Sequence, residues 1–136
     1  MSTSIKQLNI YLSARKLEDA VVTLAEALPE EQSYPLGDDL RRAATAVAHH
    51  IYQAHHYYSY GMKMEALHQA RVEAEKTQSL LDSVEAGKFA KTSQLREDYT
   101  TVIKQSWGLI KYFKTRQAEK LAKSEVKAKE ELAQAA

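Results

Sequence analysis

The sequence predicts an all-α protein, an antiparallel up-down-up-down bundle of four helices. Only two prolines and four glycines interrupt its 136 residues, and the composition favours helix-forming side chains. Apolar residues recur at steps of three and four, the period of one helix face, in four separate segments. Short connections between these segments favour antiparallel neighbours. A chain of this length can enclose one sizeable core.

The first two helices are predicted on either side of Pro29. Helix one is expected over residues 4–28, with a stripe that Leu8 and Leu12 extend toward the N-terminus. A polar loop over residues 30–37 leads to helix two, which begins at an acidic pair and is expected to stop before Gly61. The helix-one stripe consists of Leu17, Val21, Leu24 and Leu28. The helix-two stripe consists of Leu36, Leu40, Ala43, Val47, Ile51, Ala54 and Tyr58.

Helices three and four are predicted over residues 62–84 and from residue 93 onward. Gly108 lies inside helix four, where glycine costs about 1 kcal/mol against alanine, so we expect a close helix contact there. Beyond residue 116 the apolar stripe ends. We therefore divide the chain into a bundle, residues 1–116, and a charged helical extension or disordered tail, residues 117–136. The two stripes consist of Leu67, Ala70, Ala74, Thr77, Leu81 and Val84 and of Leu95, Tyr99, Val102, Ser106, Leu109 and Phe113.

These four stripes together predict the core. Some apolar side chains of helices two and four lie outside the stripes. Helix four carries Ile103, Trp107 and Ile110 beside its main stripe, and helix two carries Tyr52 and Tyr57. Apolar surface in excess of one stripe per helix usually marks an interface, so we expect self-association. The residues expected to be largely buried are Leu40, Val47, Ile51, Leu67, Leu81, Leu95, Val102 and Leu109.

Several functional classes find no support in the sequence. There is no cysteine, no glycine-rich phosphate loop and no nucleophile motif, so we expect neither an enzyme nor a bound cofactor. No segment has the length and apolar character of a signal peptide or a membrane span. A cytoplasmic protein without membrane contact is the expectation.

Four of the five histidines lie in helix two, and this clustering suggests a metal site as one possibility. Glu65 and His68 form a Glu-x-x-His step in helix three. A di-metal bundle needs two such steps and a glutamate from each of the other two helices, whereas helix two has no carboxylate after Asp39. We therefore expect solvated or interfacial histidines and no metal, and keep a metal-binding bundle only as a weaker alternative.

The distribution of charge is uneven although the net charge is +1. Residues 1–40 hold three basic against seven acidic side chains, and residues 104–129 hold eight basic against two acidic. Basic side chains interleaved with aromatic ones can contact a phosphate backbone and stack on bases; the alternative is a solvated lysine-rich helix end. The candidate binding residues are Lys104, Lys111, Lys114 and Arg116, with Arg41, Arg42, Arg71 and Lys76 as weaker candidates.

Three stretches resemble a known family of four-helix-bundle proteins. The first is the helix-one stripe with Pro29, Glu31 and Tyr34-x-Leu36-Gly37, followed by Leu40-Arg41-Arg42-Ala43. The second is residues 54–81, and the third is Trp107-Gly108-Leu109-Ile110-Lys111. The family comprises proteins encoded in intervening sequences of large-subunit ribosomal RNA genes and their relatives, the Avd accessory proteins of diversity-generating retroelements. The resemblance spans about residues 8–116. Residues 46–54 lack the Asn and Glu that the ribosomal-insert branch carries in Ser-Ile-x-x-Asn-Ile-Ala-Glu-Gly, which favours the Avd branch.

The resemblance implies a homopentameric, barrel-like assembly. It also implies a non-catalytic role, binding a reverse transcriptase and its template RNA or cDNA during mutagenic cDNA synthesis. The alternative is a structural bundle of unknown role, as in the ribosomal-insert branch.

Overall fold

Four long helices make up most of the chain in a computed structural model, which describes residues 3–135. Each helix packs against the next along the chain, and the fourth returns to the first. No strand occurs in residues 3–135, so the predicted all-α four-helix bundle is confirmed. The helices are α1 (Thr3–Glu26), α2 (Asp38–His56), α3 (Tyr60–Ala86) and α4 (Ser93–Ala135).

The core follows the predicted stripes of α2, α3 and α4. Of the eight residues expected inside, Leu95 alone is only partly buried. Each of the others is at most 5% exposed. These seven are Leu40, Val47, Ile51, Leu67, Leu81, Val102 and Leu109.

The N-terminal half of α1 differs from the prediction. Leu8 and Leu12 are exposed, and the buried stripe that precedes Leu17 consists instead of Gln7, Ile10 and Ala14. These three continue the spacing of three and four backward from Leu17, which Leu8 and Leu12 do not. At this end of the bundle, the position of a residue on the helix face decides whether it is buried, and the hydrophobicity of its side chain does not.

The connection between α1 and α2 is more ordered than the expected loop. Residues Glu30–Gln32 form one helical turn, and Ser33–Gly37 form a π-helical turn that leads directly into α2. Tyr34 is extended within it and 76% exposed. Gly37 is buried, and a Cβ atom there would lie 3.5 Å from the carbonyl oxygen of Ala25.

The α2–α3 turn corrects two further predictions. Helix α2 ends at His56, so Tyr58 lies in the turn and is 96% exposed instead of buried. Gly61 does not stop a helix but lies in the first turn of α3. The turn is fixed from both sides, because Ser59 Oγ accepts a hydrogen bond from the Met62 amide and Lys63 Nζ donates to the carbonyls of Ala54 and His55.

Helix α4 runs for 43 residues, about 64 Å, well past the end of the bundle. Its last buried residue is Phe113, and every residue from 118 to 135 is exposed. Gly108 does not mark a close contact within the described bundle, because a Cβ atom there would meet no atom of residues 3–135 within 4 Å. Among residues 3–135 no helix is long and apolar enough to cross a membrane.

Candidate functional site

Three of the four strongest basic candidates share one face of α4. Lys104, Lys111 and Lys114 are exposed, and their spacing of seven and three residues places them on one side of the helix. None of them forms an ion pair with another residue in the range 3–135. Trp107, which is 39% exposed, lies on the same face. We call these three lysines the outer row.

Arg116, the fourth candidate, lies apart from the outer row. It pairs with Glu119 at 3.2 Å, and a hydrogen bond with the hydroxyl of Tyr60 is the main cause that raises the pKa of its guanidinium. Tyr60 in turn packs against Phe113, with 5.8 Å between ring centroids. Arg116 therefore marks the end of the bundle at the α2–α3 turn.

The weaker basic candidates are mostly engaged within their own helices. Arg41 and Arg42 both pair with Asp38, at 3.3 and 3.0 Å, in the first turns of α2. Arg71 pairs with Glu75 at 3.0 Å. Lys76 is exposed and forms no ion pair in the described part of the chain.

The Glu-x-x-His step and the helix-two histidines do not converge. Glu65 is exposed, whereas His68 packs edge-on against Trp107 with 5.3 Å between ring centroids. Residues 3–135 contain no group of three or more side chains that could hold a metal ion. His55 Nδ1 lies 3.3 Å from Gln7 Oε1, and burial, followed by the neighbouring His56 and Lys63, lowers the pKa of His55.

A second basic row lies on the opposite side of α4, and the sequence reasoning missed it. Steps of four and three continue without interruption from the buried face of α4 into the exposed extension, where they fall on basic residues. The face of the helix that carries the core thus becomes cationic where the bundle ends. The spacing of these basic residues is evident in the sequence. The sequence does not show that they face the α2–α3 turn, which is what makes them a candidate site. This inner row consists of Arg116, Lys120, Lys123 and Lys127.

The inner row faces the α2–α3 turn across a groove of about 1060 Å³. Tyr58, Ser59 and Tyr60 line one side of this turn groove, and Lys63 lies beside them. Among residues 3–135, the single carboxylate that lines the groove belongs to Glu119, which already pairs with Arg116. The groove is therefore strongly cationic and bordered by exposed tyrosine.

Apolar surface remains exposed on α1, where Ile5, Leu8 and Leu12 are 48, 46 and 54% exposed. We call these residues the outer stripe. A groove of about 840 Å³ lies between α1 and α4, lined by Lys6, Ile10, Gly108 and Tyr112 among others. Of the apolar side chains predicted to be left over from the core, Trp107 and Tyr52 are exposed, at 39 and 47%, whereas Ile110 is only 5% exposed and belongs to the core.

Comparison with known proteins identifies a family. Residues 6–111 match the model of the family described as 23S rRNA-intervening sequence protein. Among solved structures, a protein of unknown function from the S23 ribosomal protein family of Bacteroides thetaiotaomicron superposes with a TM-score of 0.71 at 21% sequence identity. The match covers 78% of this chain and 98% of the other, and at this identity it supports the fold alone. No curated protein matches the chain.

Proposed function

The chain belongs to the family of 23S rRNA-intervening sequence proteins, and on that premise we propose that it is a non-catalytic bundle that functions as a self-associated assembly. The observation that carries this proposal is the outer stripe. Leu8 and Leu12 are exposed on a helix whose opposite face is already buried in the core. Large apolar side chains grouped on one face of a soluble protein usually mark an interface.

The α1–α4 groove is a suitable partner surface for the outer stripe. The groove residues Lys6 and Ile10 alternate with Leu8 and Leu12 at steps of two, so the two sets point to different sides of α1. A contact between two different surfaces is heterologous and generates a ring when the rotation closes. The number five comes from the resemblance to the bundle family, and a homopentameric barrel is the assembly we propose.

Light scattering on two variants tests this assembly from both sides. The first variant, Leu8→Asp with Leu12→Asp, places charge on the outer stripe. The second, Gly108→Arg, fills the α1–α4 groove. It causes no clash inside the described protomer, since a Cβ atom at residue 108 meets no atom of residues 3–135 within 4 Å. Both variants should have a mass near 15.4 kDa, whereas the parent should be about five times heavier.

The control for these variants places the same charges on exposed apolar residues of the extension. Leu121→Asp with Val126→Asp should leave the assembly intact, because these side chains are exposed but belong neither to the outer stripe nor to the α1–α4 groove. A parent protein that is monomeric at micromolar concentration would refute the proposal.

The outer row favours a second candidate function, an Avd-like accessory protein that binds a reverse transcriptase and template RNA or cDNA. Lys104, Lys111 and Lys114 form no ion pair with any of residues 3–135, so their charge is available for a ligand. Repetition of this row around a ring would concentrate positive potential on one surface. The departure of residues 46–54 from the ribosomal-insert pattern also supports it.

Charge reversal tests the second candidate. Replacing Lys104, Lys111 and Lys114 with Glu should abolish retention of RNA or of a reverse transcriptase–RNA complex, while the helical circular-dichroism signal stays unchanged. Binding should be steeply salt-dependent and should discriminate little between sequences. Retention equal to that of the parent at low salt would leave the structural, self-associating role as the better account.

A further inference from the structure

The turn groove combines free positive charge with an exposed aromatic ring. Arg116 is paired with Glu119, but Lys120, Lys123 and Lys127 form no ion pair with any residue in the range 3–135. Tyr58 is 96% exposed and makes no ring contact within the same range. Tyr58 lines the same groove as the three lysines.

We propose that the turn groove is a binding site for single-stranded nucleic acid, with Tyr58 stacking on a base and Lys120, Lys123 and Lys127 contacting phosphates. The inner row extends over about 16 Å from Arg116 to Lys127, with about 5 Å between successive cations along the helix axis. A row of this kind can follow a flexible phosphate backbone. Proteins that bind single strands combine such a cationic track with aromatic stacking platforms.

The arrangement favours a single strand over the other polyanions that a cationic groove attracts. An exposed tyrosine can stack only on a base that is not already stacked and paired within a duplex. An acidic protein segment would pair with the lysines but would gain little from Tyr58. The dependence of binding on Tyr58 therefore separates these ligands.

This site lies within one protomer, so it does not require the self-association proposed above. It shares with the Avd-like candidate the premise that the chain binds nucleic acid, but it lies on the other face of α4 from the outer row. Variants of the two rows can therefore fail independently of each other.

Fluorescence anisotropy with a labelled oligouridylate about 20 nucleotides long tests the site. In full-length protein, Tyr58→Ala should weaken binding roughly 5- to 150-fold, and Tyr58→Phe should retain it because the ring face remains. Changing Lys120, Lys123 and Lys127 together to Gln should weaken binding and lower the slope of log affinity against log salt by about 2, since each phosphate contact with a single strand contributes about 0.7.

The control removes the same number of charges elsewhere. Changing Lys16, Lys88 and Lys91, which are exposed and belong to neither basic row, to Gln should leave both the affinity for oligouridylate and its salt dependence close to those of the parent. All the altered side chains are exposed, and circular dichroism should confirm an unchanged helical signal.

Three results would overturn the site. One is unchanged affinity in Tyr58→Ala, and another is an equal loss from the inner-row variant and the control variant, which would indicate bulk charge alone. The third is equally tight binding of duplex RNA or of poly-glutamate in competition, which would indicate a general polyanion surface.

Discussion

The guanidinium of Arg71 lies over the indole ring of Trp107, with its central carbon 4.7 Å from the ring centroid. The contact joins α3 to α4, and His68 packs edge-on against the same ring. A guanidinium over an aromatic face is attracted by the ring's quadrupole. Arg71 therefore stabilises the contact between α3 and α4, and it also forms an ion pair with Glu75.

Replacing Arg71 should accordingly affect stability more than binding. We expect Arg71→Ala to lower the free energy of unfolding by about 1 kcal/mol, because the cation–π contact is worth about 0.5–2 kcal/mol and the exposed ion pair little. Urea denaturation measures this change. The control Lys76→Ala removes an exposed cation from the same helix and should change stability by less than about 0.5 kcal/mol. Parental stability in Arg71→Ala would contradict the structural role.

Truncation of the core provides a second prediction. Leu67 is 1% exposed, so Leu67→Ala should lower the free energy of unfolding by about 2–5 kcal/mol through lost burial and the cavity that remains. The same substitution at Leu132, which is 72% exposed in the extension, should have almost no effect. Equal effects at the two positions in urea denaturation would be inconsistent with the described core.

A substitution at Tyr99 should stabilise the protein, unlike those at Arg71 and Leu67. Tyr99 is fully buried, and its hydroxyl has no hydrogen-bond partner among residues 3–135. Burial, followed by the charge of Glu18, raises the pKa of Tyr99, so the ring stays neutral. Because an unsatisfied buried polar group is costly, Tyr99→Phe should raise the free energy of unfolding by about 1 kcal/mol. Tyr112→Phe, at an exposed ring, should leave it unchanged, and a loss of stability in Tyr99→Phe would refute the unpaired hydroxyl.

His55 makes stability depend on pH. Its pKa in the folded chain is lowered from the ordinary value of 6.5, first by burial and then by His56 and Lys63. Just below pH 6.5 the unfolded chain therefore binds more protons than the folded chain, and stability falls as pH decreases through this window.

Melting temperatures at about pH 7.5 and about pH 5.5 measure this effect. The parent should lose stability at the lower pH, and His55→Gln should lose less. His49→Gln, at an exposed histidine of the same helix, should follow the parent. If His55→Gln shows the full parental loss, another group causes the pH dependence.

Periodicity predicted the fold well where one apolar stripe per helix was present. Leu40, Ile51 and Leu81 are buried as expected because their spacing leaves one possible face. Leu8, Leu12 and Tyr58 are exposed because a second apolar set or a capped turn competes with the simple pattern. The end of α2 depended on Lys63 and the start of α3 on Ser59, whose capping contacts involve positions that a periodic pattern does not weigh.

The candidate surfaces were harder to predict than the core. The sequence identified the lysine-rich region and the outer row, since Lys104 and Lys111 are seven residues apart. It did not identify the turn groove, because Tyr58 and Lys123 are 65 positions apart and only the return of α4 along α3 brings them to one place. Arg41 and Arg71 are candidates by charge alone, and the structure pairs them with Asp38 and Glu75, which lie three and four residues away in the same helices.

The unbroken register from Phe113 to Arg116 makes the turn groove sensitive to changes in chain length. Each residue inserted into or deleted from an α-helix rotates everything that follows by about 100°. One such change near residue 114 would leave every core residue in place, yet it would turn Lys120, Lys123 and Lys127 away from Tyr58. A descendant chain could therefore keep its fold and every lysine of the inner row and still lose the groove through a single codon gained or lost.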